Sequence, residues 1–160
     1  MNIRIPIASD LSDIKLILKD TELFPPEMLQ ELIEPFLSGS DDQALWLVCE
    51  GEGTRVVGFC FARLEALTEG VWNLLAIGVR KKHQSKGYGS ALISAVEESL
   101  GNERILIVET SGQGSFEATR RFYELRGYTK EAVIRDYWAE GDDKVIFVKT
   151  LGVSSGRFET

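Results

Sequence analysis

Long apolar runs are missing from this chain. No uninterrupted hydrophobic stretch approaches the ~20 residues that a helix needs to cross a bilayer, which excludes a helical membrane span. Cysteine is scarce as well. Cys49 and Cys60 both lie in apolar, strand-like runs and take part in no metal-ligand spacing, so buried free thiols in a reducing compartment are expected and no metal site. The opening segment, MNIRIPIASD, lacks the apolar core of a secretory signal, and a cytoplasmic location follows as an expectation. Positive charge is in deficit, with 18 Lys and Arg against 25 Asp and Glu and a net charge of −7. That argues against nucleic acid as a partner, which needs a basic footprint. It is mildly permissive of steering a cationic substrate, but solubility alone is the weightier explanation. Internal repeats and low-complexity tracts are also absent. What is present is ordinary for one folded domain: 160 residues, 44% hydrophobic and 27% charged. A single domain over residues 1–151 with a short polar tail over 152–160 is expected, as a monomer or homodimer.

One stretch organises the rest. Trp72–Val79 is an apolar run dense enough for a strand buried on both faces. Arg80–Lys86 is a cationic turn, and a helix follows in which Leu92, Ile93, Val96 and Leu100 recur at helical spacing. A buried strand that runs through a glycine-bearing loop into a helix N-terminus is an anion site, because first-turn N–H groups and the helix dipole both favour negative charge. Gly87 and Gly89 let backbone approach a phosphate with no Cβ in the way. The spacing is neither a dinucleotide fingerprint, since Leu92 stands where a third glycine is wanted, nor a P-loop. Arg80, Lys81, Lys82 and Lys86 form a local cationic patch on an otherwise acidic chain, as a phosphorylated ligand would require.

Gln84-x-x-Gly87-x-Gly89 directly after a strand resembles the acetyl-CoA loop of the GCN5-related N-acetyltransferases. The resemblance implies that Gln84, Ser85, Lys86, Gly87, Tyr88, Gly89 and Ser90 hold the phosphates and that Ile77 and Val79 line the pantetheine arm. A second stretch carries the same resemblance: Phe122-Tyr123-Glu124-Leu125-Arg126-Gly127-Tyr128 is similar to the family's Phe/Leu-Tyr-Glu-x-x-Gly-Phe/Tyr. On helical spacing Ala118, Phe122 and Leu125 form the core face, with Tyr123 one residue off it, where its phenol either reaches a cleft or packs with its hydroxyl satisfied.

The predicted element order covers nearly the whole chain. Strands are expected at Ile3–Pro6, Ala44–Cys49, Val56–Ala66, Trp72–Val79, Ile105–Thr110, Tyr128–Ile134 and Val145–Leu151. Helices are expected from Ser9 or Asp10 to Asp20, over Glu27–Leu37 after Pro25-Pro26, from Gly87 to Leu100, and up to Arg126 with Gly127 as its cap. This order matches the acetyltransferase fold, an α/β mixed sheet of about seven strands flanked by helices on both faces, with CoA inserted where the strands carrying Val79 and Glu109 splay apart.

The resemblance implies attack of an amine on the acetyl-CoA thioester, with no metal. Tyr123 is then the general acid for the departing thiolate, and Phe122 lies on the cofactor side. Glu109, at a strand end, resembles the base of ribosomal-protein N-terminal acetyltransferases; a structural carboxylate is the equal alternative. Asn73 replaces the glutamate used by the histone-acetylating branch. Phe116 and Thr119 replace the family's asparagine and alanine, which leaves Ser115 as a substitute CoA contact. His83 is expected on the exposed cofactor side. Tyr137 and Trp138, flanked by Asp136 and Glu140, would suit an amine by cation–π attraction, or simply pack the hairpin. The segment Thr21–Phe36 supplies the other acceptor wall, carrying Glu22, Glu27, Glu31 and Glu34. A small-molecule amine and a peptide amine both remain as acceptors. A non-catalytic acyl-CoA sensor is the rival reading.

Overall fold

The computed structural model describes residues 1–152, so of the expected tail only Gly152 falls within it. The chain order is β1 (Asn2–Arg4), α1 (Leu11–Thr21), α2 (Leu29–Leu37), β2 (Ala44–Glu50), β3 (Val56–Leu64), β4 (Val71–Val79), α3 (Tyr88–Ser99), β5 (Ile105–Ser111), α4 (Glu117–Leu125), β6 (Thr129–Ala139) and β7 (Asp142–Thr150). The strands form one seven-stranded sheet in the order β1-β2-β3-β4-β5-β7-β6. β4 and β5 run parallel, while β1–β2, β2–β3, β5–β7 and β7–β6 are antiparallel, so the sheet is mixed as expected. By internal contact density the chain divides into two compact units, residues 1–63 with 75–99, and residues 64–74 with the chain from 100 onward.

The first unit is built on an aromatic ladder. Antiparallel register places Trp46 opposite Phe61, and their rings stack at 4.1 Å; Phe59 stacks on the same indole at 6.0 Å. Ile14, Ile17 and Leu18 of α1 and Leu29 and Ile33 of α2 close over this ladder and are fully buried. Each such side chain contributes about 1.5–3 kcal/mol of burial free energy. Helix α1 lies close against β4 because Gly78 presents no side chain there. A Cβ on Gly78 would stand 2.9 Å from Leu23 Cδ1 and 3.2 Å from Ile17 Cγ2. In α3 the positions Leu92, Ile93 and Val96 are buried, as the periodicity predicts. Short 3-10 turns precede α1 and α2 and shift both starts later than the sequence suggests. Pro35 is accommodated inside α2, whose last turn is tied off by Ser40 and Asp41 N–H groups donating to the Pro35 carbonyl.

The second unit packs Leu106 and Val108 of β5 and Phe147 of β7 into its own core. Here α4 departs from expectation. Tyr123 is its buried residue at 3% exposure, whereas Leu125 is 70% exposed and Ala118 is also exposed. The Tyr123 ring meets Tyr128 at 5.5 Å and Phe147 at 6.0 Å, so the tyrosine is the knob that docks the helix. Phe122 is half-buried, with the Arg126 guanidinium 3.6 Å over its ring. The terminal hairpin is longer than predicted and turns at Glu140-Gly141, so Asp136, Tyr137 and Trp138 belong to strand β6 itself. β4 is also less buried than expected, since Leu75 is half-exposed and Ile77 partly so.

Candidate functional site

The sequence-predicted residues fall into two groups, one in each unit. Ile77, Val79 and Gln84 to Ser90 belong to the first; Glu109, Ser115, Phe122 and Tyr123 belong to the second.

In the first unit the loop after β4 is held at both ends. Asp20, at the end of α1, accepts from Arg80 Nε at 2.6 Å and from the Lys81 backbone N–H at 3.0 Å. The Lys81 amide, then the Arg80 guanidinium, hold the Asp20 carboxyl below the usual carboxylate range. Arg80 is therefore already paired, and the exposed cations of the predicted patch are Lys81, Lys82 and Lys86. A 3-10 turn over Lys81–His83 follows, and Gln84 Nε2 donates back to the Val79 carbonyl at 3.1 Å. This bond fastens the loop to the strand end. Ser85 and Gly87 both take left-handed backbone, at φ 62° and 93°. Left-handed backbone at both positions turns the chain sharply from the extended Gln84 into the next helix, whose first-turn N–H groups have no intrahelical partner and suit an anion. A Cβ on Gly87 would have only Met1 Cε nearby, so glycine is required there by its dihedral and not by crowding. Helix α3 begins at Tyr88, directly after this turn. His83 is not fully exposed as expected: its ring is half-buried against Tyr88, 6.1 Å between centroids.

The second unit carries a polar chain that the sequence did not reveal. Asn73, on β4, is 4% exposed, and its Nδ2 donates to Glu65 Oε1 at 2.8 Å and to Glu109 Oε1 at 3.2 Å. Two carboxylates accept only, which fixes the amide orientation with its NH₂ between them. The other oxygen of Glu109, Oε2, lies 2.7 Å from Lys144 Nζ. Burial alone would depress Lys144, but the Glu109 carboxylate, helped by the Tyr137 phenol, overcomes it and the ammonium is stabilised. Lys144 Nζ also stands 3.9 Å over the Tyr137 ring and 5.7 Å from the Trp138 ring centroid. The indole is pinned by its own N–H, which donates to the Thr110 carbonyl at 3.2 Å. The expected aromatic pair thus exists, but its cation belongs to the chain. Ser115 is exposed in the 3-10 turn Gly114–Phe116, and Phe116 is also exposed. Lys144, Asn73, Glu65 and Asp20 were not singled out for these roles. A lysine after two aspartates reads as a solvated turn, and nothing local predicts its 7% exposure.

The model of the acetyltransferase (GNAT) family matches residues 11–128. An uncharacterized N-acetyltransferase of Methanocaldococcus jannaschii is 28% identical over 105 residues, a match spanning 64% of either chain and so just under two thirds of that relative's length. A GNAT-family structure from Desulfovibrio desulfuricans superposes with a TM-score of 0.81 at 28% identity, over 93% of this chain and 98% of that one. A phosphinothricin acetyltransferase from Sinorhizobium meliloti, in complex with AcCoA, shares the fold with a TM-score of 0.77 at 17% identity, over 97% and 90%.

Proposed function

This chain belongs to the acetyltransferase (GNAT) family, and we propose that it acts, as one catalytic domain in the cytoplasm, by moving an acetyl group from acetyl-CoA to a primary amine. The observation that carries this reading is the Gln84–Ser90 loop between the end of β4 and the start of α3, turned by left-handed Ser85 and Gly87 and edged by Lys81, Lys82 and Lys86. Its backbone donors and flanking ammonium groups suit the phosphates of CoA, while Ile77 and Val79 supply apolar and peptide surface for the pantetheine arm. Acetyl-CoA bound to a protein of the same fold supports the choice of donor.

The chemistry is direct transfer. The acceptor nitrogen attacks the thioester carbonyl as a neutral amine, a β4 backbone N–H donates to the developing oxyanion, and the C–S bond breaks. Tyr123 gives its phenolic proton to the sulfur that leaves. Glu109 takes the proton from the amine, directly or through a water. Asn73 donates to one oxygen of that carboxylate and holds it in place.

Glu109→Gln tests the base. Acetylation of an alkylamine such as spermidine falls by about 10²-fold, the size of a lost general base. Acetylation of a peptide α-amine, which loses its proton near pH 8, falls less. Acetyl-CoA affinity, measured calorimetrically, is unchanged. Equal rates in the variant and the parent would remove Glu109 from the mechanism.

A further inference from the structure

The environment of Lys144 is that of a bound ligand. A carboxylate, one phenol face and one indole face surround its ammonium. Those are the groups that would recognise the ammonium of a substrate. The topology explains how the lysine gets there. In the β5–β7 register Lys144 lies opposite Ser111, so Glu109, two residues along β5, shares its face as a diagonal neighbour within reach of a long side chain. The β6–β7 register breaks between Ile134 and Ala139, where Asp136 takes left-handed backbone at φ 54°, and this break carries Tyr137 and Trp138 over the lysine. Asp136 is fixed in that conformation by its N–H donating to Asp143 Oδ1 at 3.0 Å and by accepting from the Gly141 N–H at 2.9 Å. The cage is not sealed, since Tyr137 and Trp138 are about half exposed and the Glu109 side chain is 21% exposed.

We propose that Lys144 is a positioning and specificity-determining residue: its ammonium fixes the Glu109 carboxylate and, by filling the carboxylate–aromatic cage, turns away acceptors that bring a permanent second cation. This rests on the reading that Glu109 meets the acceptor. Two like charges about 4 Å apart repel by several times thermal energy at the effective dielectric of such a site. The acceptor class favoured is therefore an amine that arrives with no further positive charge, such as the α-amine of a peptide or amino acid, over a polyamine or aminoglycoside. The acidic chain as a whole attracts polycations, so discrimination against them needs a local device. Lys144 is that device.

Lys144→Met keeps the length and apolar stem of the side chain and removes its charge; Lys144→Arg keeps the charge. The ratio of kcat/KM for spermidine to that for an alanine-initiated peptide rises at least tenfold in the Met variant, mainly through KM for spermidine, and returns to the parent value in the Arg variant. A binding arm stands without any turnover. Tetramethylammonium titrated into Lys144→Met gives saturable quenching of indole emission, which the parent and the Lys144→Met/Trp138→Phe double variant lack. An unchanged acceptor ratio in folded Lys144→Met overturns the specificity role, and no ammonium response overturns the cage. Should the Met variant fail to fold, Lys144→Gln takes its place in both arms. Failure of every form to acetylate any amine would instead sink the functional reading, with the titration still deciding the cage.

Discussion

Single side chains in this molecule do their work by holding charges in pairs. Arg4 shows the pattern in the first unit: its guanidinium meets Asp10 at 2.7 Å and 3.0 Å and Glu50 at 2.7 Å. The Asp10 carboxyl also accepts from the Ile7 N–H at 2.8 Å, so it ties the end of β1 to the turn that opens α1. Position 10 reads as a helix cap in the sequence, and its neighbourhood is right, but its partner is six residues upstream and its job is to pin a strand. Arg4 holds the Asp10 carboxyl below the usual carboxylate range. A depressed carboxyl adds stability that is present above its unfolded pKa of about 3.9 and is lost as pH falls through the lower folded value. Asp10→Asn accordingly loses about 1–3 kcal/mol at pH 7, and its stability declines less between pH 5 and pH 2 than that of the parent. Denaturant melts across that range check this; an acid limb of unchanged slope would contradict it. The same logic governs Asn73, Glu109 and Lys144, where the sequence names the carboxylate and the amide but not the bonds between them. Such pairings join β4, β5 and β7, and no local spacing encodes them.

Elements were legible where one face is buried and opaque where the burial is shared or slight. The α3 periodicity is clean because Leu92, Ile93 and Val96 all meet the core. In α4 only Tyr123 is buried, so a helical-face argument that counts apolar letters chooses Leu125, which is exposed. β6 runs past its predicted end at Ile134 for a related reason. All of its residues are exposed, and its register shifts twice against β7, so it lacks the alternation that marks a half-buried strand. The tight turn into α3 is legible, because its demands fall on particular residues. Gly87 sits at φ 93°, which an alanine adopts only with strain. Gly87→Ala is expected to cost about 1–2 kcal/mol of stability and to weaken acetyl-CoA binding at least tenfold by displacing the backbone N–H groups at the start of α3. Calorimetry on the folded variant decides it; unaltered affinity would detach the phosphates from this loop.

At the scale of the whole molecule, the order of strands and helices carried most of the information. The sequence predicts seven strands and four helices in this order, and the mixed sheet with its parallel β4–β5 pair bears that out. Among the described residues no helix is long and apolar enough to cross a membrane. Cys49 and Cys60 are buried and free, and burial pushes the Cys60 thiol up to about 12, so neither supplies chemistry at neutral pH. Function is less legible at this scale because side chains such as Lys144, to which we assign the choice of acceptor, take their environment only from the fold. The central claim is that acetyl-CoA bound at the Gln84–Ser90 loop is discharged onto an amine with Tyr123 as the acid. The most direct measurement is CoA-thiol release from acetyl-CoA over a panel of peptides, amino acids and polyamines, for the parent and Tyr123→Phe. The phenylalanine keeps the ring that packs on Tyr128 and Phe147 and removes only the hydroxyl. The account predicts turnover by the parent, a fall of about 10²-fold or more in the variant, and equal acetyl-CoA affinity in both. Tight binding with turnover undiminished in Tyr123→Phe would contradict it.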